Sequence, residues 1–156
     1  KLSDAARNEY GLSGAVQHGA STLPESAFGK FVESGCSEVH LATGFQNIIY
    51  DSKHMPSDFK TEVYEFIKKE FAKEKKENQT EEQFIYSTRK KGFGSLKKKW
   101  WELPKEVKAG IAAELEERFG LLFEKLNVVN TKDIMNKSVG KNIIKKEIPD
   151  TVRRMI

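Results

Sequence analysis

The stretch Leu12-Ser13-Gly14-Ala15-Val16-Gln17-His18-Gly19-Ala20-Ser21-Thr22, with its partner Glu38-Val39-His40-Leu41-Ala42-Thr43-Gly44, decides how the chain is read. Leu12–Gln17 is uncharged, small and β-favouring, which predicts a buried strand. It runs into a loop of small residues, His18 to Thr22. Thr22 followed three places later by Glu25 fits a capping box with Pro24 in the first turn. The predicted helix carries Phe28, Phe31 and Val32 on one face and stops at Gly35 as a left-handed C′ residue. Glu38–Thr43 then reads as a second strand. Strand, short helix, strand predicts a right-handed βαβ unit with parallel strands. In such folds chemistry sits where strands end, which picks out His18–Thr22 and Thr43–Asn47.

The charge changes abruptly after this unit. Residues 1–52 carry three bases (Lys1, Arg7, Lys30) and six acids (Asp4, Glu9, Glu25, Glu33, Glu38, Asp51), a net of −3. The whole chain of 156 residues has a net of +4, so residues 53–156 carry +7. Composition therefore divides the chain into a Gly/Ala/Ser/Thr-rich part, 1–52, and a charged, helix-forming part, 53–156. The total of +4 is too small for charge alone to argue for nucleic acid. No apolar run approaches the ~20 residues of a membrane helix, and no signal-peptide pattern is present. The single cysteine, Cys36, forms no internal disulfide, which predicts a reducing, cytoplasmic setting.

Residues 53–156 read as helices. Ser57 predicts a cap for a helix to about Lys76, with Phe59, Val63, Phe66, Ile67 and Phe71 on one face. Thr80 and Gln83 form a second capping-box pattern that opens a helix to about Arg89, and Gly92-Phe93-Gly94 reads as an interruption. After Pro104, Val107, Ile111, Leu115, Phe119, Leu122 and Leu126 recur at helical spacing as one apolar stripe. Ile134–Ile156 predicts one or two short helices broken at Pro149. Lys97-Lys98-Lys99-Trp100-Trp101 offers cations beside aromatics, the pattern of a stacking nucleic-acid site. An amphipathic turn with packed tryptophans explains it more simply.

Two of these motifs carry a resemblance. Gly14-Ala15-Val16-Gln17-His18-Gly19-Ala20-Ser21-Thr22, followed at the right distance by His40-Leu41-Ala42-Thr43-Gly44-Phe45-Gln46, resembles the seventh and eighth strands of class II fructose-bisphosphate aldolases. These are zinc-dependent (β/α)8 TIM barrels, and the likeness covers about residues 10–50. It implies an α/β fold: residues 1–52 as the last two strand-helix units of an aldolase barrel, 53–156 as a helical C-terminal extension. It further implies His18 as a zinc ligand, with Gly19 and Ser21 in a phosphate loop. Ala42 and Thr43 fall in the second phosphate- and substrate-contacting segment. A monovalent cation accompanies the zinc in this reading. His40 stands where the family pattern has a substrate-contacting asparagine, and Gly44 where it often has an acid. Strand alternation leaves His40 either facing the barrel mouth or packed.

The implied reaction is reversible cleavage of fructose 1,6-bisphosphate, or a similar ketose bisphosphate, to dihydroxyacetone phosphate and glyceraldehyde 3-phosphate. The remaining zinc ligands and the proton-transferring carboxylate belong to the six earlier strands. This predicts that the chain is a fragment, a remnant or half of a split enzyme, and is inactive alone. The partners expected are the ketose phosphate, the rest of the barrel, and a second copy making a homodimer or higher oligomer through the tail helices. Arg89, Lys90 and Lys91, beside Gly92 and Gly94, are expected to reach a phosphate at a neighbouring mouth. Two readings from other classes stand beside this one. The first is a non-enzymatic helical interaction module carrying a vestigial βαβ unit, and the second an RNA-binding tail on residues 89–101.

Overall fold

The computed structural model describes residues 1–139 and residue 147. It is a mostly helical mixed α/β protein with a two-stranded parallel sheet. A helix α1, Leu2–Tyr10, precedes the predicted first strand and is closed by Gly11 in the left-handed region at φ 64°. Strand β1 is then only Val16–Gln17, shorter than the predicted Leu12–Gln17. The physical reason is that α1 takes the backbone groups a longer strand needs. The Arg7 guanidinium donates to the carbonyls of Ser13 (2.9 Å) and Gly35 (2.5 Å), and Ser3 Oγ accepts from the Ala15 amide at 3.2 Å. Leu12 is left exposed.

The crossover also differs from the prediction. Thr22 caps nothing: Leu23 is extended (φ −76°, ψ 148°) ahead of Pro24, the conformation a following proline imposes. Two 3-10 turns, Ala20–Thr22 and Glu25–Ala27, therefore replace the first half of the helix. Helix α2 is Gly29–Glu33, and Gly35 (φ 65°) closes it where expected. Strand β2, Glu38–Val39, pairs with β1 in parallel, Val16 with Glu38 and Gln17 with Val39. The ladder continues one step, from the His40 amide to the Gln17 carbonyl at 2.8 Å. The strand predicted to run to Thr43 stops there, because Thr43 is already the first residue of helix α3, Thr43–Asp51.

Helix α4, Ser57–Glu70, starts behind Pro56 rather than behind a Ser57 cap. It ends six residues before Lys76. Phe71 leaves the helix (φ −115°) to lie against the core, edge-on to Phe66 and under the Lys91 ammonium. A 3-10 turn, Ala72–Glu74, follows. Thr80 and Gln83 make the full reciprocal box at the start of α5, Glu81–Thr88. Gly92-Phe93-Gly94 is no interruption, since all three residues are helical in α6, Lys90–Ser95. Helix α7, Lys97–Trp101, leads to Pro104 and the long helix α8, Lys105–Lys125. Helix α9 is Lys132–Ser138; the predicted break at Pro149 and most of the last segment lie outside the described residues.

Two cores result. Tyr50, Met55, Phe59, Val63, Ile67, Phe84, Ile85 and Ile111 form the larger, helical one. Ala20, Phe28 and Leu122 form the smaller, with Val39, Leu41 and Phe45 packed against it. Helix α8 reaches both: Ile111 lies in the helical core and Leu122 seals the βαβ unit. The apolar stripe predicted on α8 is thus split between two jobs. Phe119 stacks on Phe45, ring centroids 4.7 Å apart, yet stays 41% exposed.

Candidate functional site

The parallel register brings the two motifs together. Since Gln17 pairs with Val39, the next residues along, His18 and His40, emerge side by side at the carboxyl end of the sheet. Their rings lie 4.4 Å apart, tilted by 31°. A cleft of about 720 Å³ opens there, lined by His18, Gly19, Ser21 and Thr22 from one side and Glu38 to Thr43 from the other. The residues the resemblance assigns to metal, phosphate and substrate, His18, Gly19, Ser21, His40, Ala42 and Thr43, all line it.

Each is held by a local cause. Gly19 is in the left-handed region (φ 74°), where a side chain is strained even though the space beside it is open. That turn drops Ala20 into the small core and swings Ser21 across to the second strand. Ser21 Oγ accepts from the Ala42 amide at 3.2 Å, tying the two loops together. Its own O–H remains a donor. Thr43 opens the nine-residue helix α3, so unpaired amides and the positive end of a helix dipole border the cleft. These groups suit an anion.

Glu38 was not singled out by the sequence. It shares a strand face with His40, two residues on, and its Oε1 lies 2.5 Å from His40 Nε2. The period-2 alternation of Glu38 and His40 was the signal that could have found it. Among the described residues Glu38 is also the one formally charged residue lining the cleft, and no described lysine or arginine lines it.

The expectation for Arg89 is corrected by position. Arg89 does not reach a phosphate: it is 5% exposed and donates to Asn47 Oδ1 (2.6 Å) and to Asp51. Lys91 pairs with Glu74 at 2.5 Å. Cys36 Sγ donates to the carbonyls of Ala15 (3.1 Å) and Glu38 (3.2 Å), a structural role. His54 is far in the chain from the other two histidines and rests on α8 at Gly110, where a Cβ would have no room.

Among the described residues no group of three or more His, Cys, Asp or Glu side chains is placed to hold a metal ion. His18 supplies one exposed imidazole, and a catalytic zinc site takes about three protein ligands. The other ligands of such a site would have to come from outside the described residues. Comparisons of the chain with protein-family models, with curated proteins and with solved structures found no match.

Proposed function

We propose that the cleft between His18 and Thr43 is the phosphate-binding and metal-binding corner of a class II fructose-bisphosphate aldolase. In this reading β1 and β2 are the last two strands of a (β/α)8 barrel, and the other six strands come from outside the described residues. One observation carries it: the register Val16 to Glu38 sets His18, Gly19, Ser21 and Thr43 around one cleft at the carboxyl end of parallel strands. That is where barrel enzymes of this class place phosphate, after their last strands.

Zinc, when bound, supplies a Lewis acid for the ketone oxygen of the substrate. This chain's residues do the rest of the positioning. His18 gives the ion one neutral imidazole. The Gly19 backbone, the Ser21 hydroxyl and the first amides of α3 at Thr43 take a phosphate, which fixes the reacting carbons beside the ion. His40 meets a sugar hydroxyl. The proton-transferring carboxylate lies on the missing strands, so the 156-residue chain alone is inactive.

The test is zinc content and fructose 1,6-bisphosphate cleavage in the protein assembled with the remaining strands. His18→Ala should lose both, and Ser21→Ala should raise KM with zinc content kept. Full zinc occupancy and activity in His18→Ala would sink the reading. Zinc-dependent cleavage by the isolated chain would overturn only the statement that it is inactive alone.

A homodimer through the tail is favoured by Phe119 and Phe123, 41% and 49% exposed side by side on α8. Phe119→Asp/Phe123→Asp should then run as a monomer on a sizing column. The helical interaction-module reading gains if that variant loses its partner while His18→Ala changes nothing.

A further inference from the structure

Lys97-Lys98-Lys99-Trp100-Trp101 is one basic and aromatic run in sequence, and the structure divides it. Trp100 packs against the helical core, and Lys99 pairs with Glu62 on α4. Of the bases just before the run, Arg89 is buried and Lys91 pairs with Glu74. Trp101 stays in solvent, 66% exposed. Lys97, one turn earlier on α7, holds its ammonium 4.7 Å from the centroid of that ring. Lys108 donates from Nζ to the Trp101 carbonyl at 2.7 Å, which brings the first turns of α8 to the same place. Lys105 is exposed one turn ahead of Lys108, and Lys98 is exposed beside Lys97. The acids alongside are Glu102, 3.7 Å from Lys98, and Glu106. Four lysines against these two acids leave the surface around the indole positive.

We infer that this patch binds single-stranded nucleic acid, with a base stacked on the open face of Trp101 and the lysines on the flanking phosphates. It stands independently of the cleft at His18. An aromatic ring among cations suits three kinds of partner, and the surroundings of Trp101 favour this one. A membrane-surface helix needs a broad apolar face. Helix α7 has five residues, and its other tryptophan faces the core. The centre of a protein interface is depleted in lysine, whereas lysines surround this ring. A single strand offers what the patch lacks: a π-face for the indole and a phosphate on either side of it for the ammonium groups. Lys97 covers one face of the ring, and at that exposure the other is open. Stacking and charge read neither base edges nor the 2′-hydroxyl, so DNA and RNA bind alike.

The experiment titrates the full chain into fluorescein-labelled oligo(dT) and oligo(U) of about 15 nucleotides and reads anisotropy. A DNA duplex and vesicles of phosphatidylcholine with phosphatidylserine are the other arms. Both oligomers should bind with similar Kd, about 1 to 100 µM at about 50 mM salt, and weaken as salt rises. Trp101→Ala should weaken both about 5- to 100-fold, the worth of one stacked base, and Trp101→Phe should recover most of that. Lys98→Gln/Lys105→Gln should flatten the slope of log affinity against log salt by about 1.4. Lys132→Gln/Lys137→Gln on α9 makes the same charge change elsewhere and should leave that slope nearly unchanged. Should Trp101→Ala misfold, the emission decides: bound oligomer should quench the unaltered protein and leave Trp101→Phe unquenched. No binding up to about 100 µM overturns the inference. So does affinity indifferent to Trp101→Ala, emission that bound oligomer leaves unquenched, or an equal loss of slope in the α9 variant. Preference for the vesicles or the duplex over the oligomers overturns it in favour of a membrane surface or of charge alone. Strong preference for one sugar overturns it as well, since stacking and charge do not produce one.

Discussion

Arg89, at the junction of α5 and α6, is clamped to Asp51 at the end of α3, Nη1 to Oδ1 at 3.2 Å, across 38 residues of sequence. The guanidinium also bonds Asn47 Oδ1 at 2.6 Å and lies over the rings of Tyr50 and Tyr86, 5.0 Å from each centroid. One buried cation thus joins the helix that follows the candidate site to the helical core. Arg89→Ala should cost about 2 to 4 kcal/mol, because it strips Asn47, Asp51 and two aromatic faces at once. Lysine should rescue little, lacking the planar fork. Asp51→Asn should cost under about 1 kcal/mol, since that side chain is 57% exposed and screened. Urea unfolding measures all three, and an Asp51→Asn loss equal to that of Arg89→Ala would refute this division.

The same pair sets a pH dependence. Desolvation works against the Asp51 charge, but hydrogen bonds and charge from Arg89 and Lys60 outweigh it and hold the carboxyl below its ordinary 3.8. A depressed folded value means stability is present above the unfolded value and lost as pH falls through the folded one. The stability gap between the unaltered protein and Asp51→Asn should be constant above about pH 5 and close as pH drops below about 4. Urea melts from pH 6 to pH 2.5 read it directly. A gap that widens in acid would contradict the assignment.

Local chemistry was legible in the sequence, and long-range burial was not. The Thr80–Gln83 box formed because both partners sit within one turn. Gly35 closed α2 for the same local reason. The site was half legible: parallel pairing follows from the βαβ pattern, and pairing alone puts His18 beside His40. Strand lengths failed because β1 competes with Arg7 and Ser3 for its own backbone. Arg89 read as an exposed basic residue, since nothing near it in sequence announces Asp51 or Asn47.

Gly92 and Gly94 read as a loop and are helical, and their surroundings separate them. A Cβ on Gly92 would meet Val63 Cγ1 at 2.7 Å and Tyr50 Oη at 3.0 Å, whereas one on Gly94 meets nothing within 4 Å. Gly92→Ala should therefore cost about 1 to 3 kcal/mol by overpacking. Gly94→Ala should gain about 0.5 to 1 kcal/mol, the ordinary helix preference for alanine. Thermal melts of the two variants should move in opposite directions, and a shared sign would mean that backbone freedom matters at both.

Trp100 and Trp101, adjacent in sequence, divide between core and solvent. Trp100 meets Phe59 (4.9 Å) and Tyr50 (5.5 Å) edge-on and donates Nε1–H to the Gly92 carbonyl at 3.2 Å. Trp101 is 66% exposed, with the Lys97 ammonium 4.7 Å above its ring. Removing the first opens a hole among aromatics and takes away one of the two hydrogen bonds the Gly92 carbonyl accepts, the other coming from the Leu96 amide, so Trp100→Ala should cost about 3 kcal/mol. Trp101→Ala should stay within about 0.5 kcal/mol, because an exposed cation–π contact is worth little more. Single-tryptophan proteins check the geometry independently of stability. Trp101→Phe should leave a blue-shifted emission that acrylamide quenches poorly, and Trp100→Phe a red-shifted emission that it quenches readily. Equal quenching of the two would mean that α7 does not seat Trp100 against Tyr50 and Phe59.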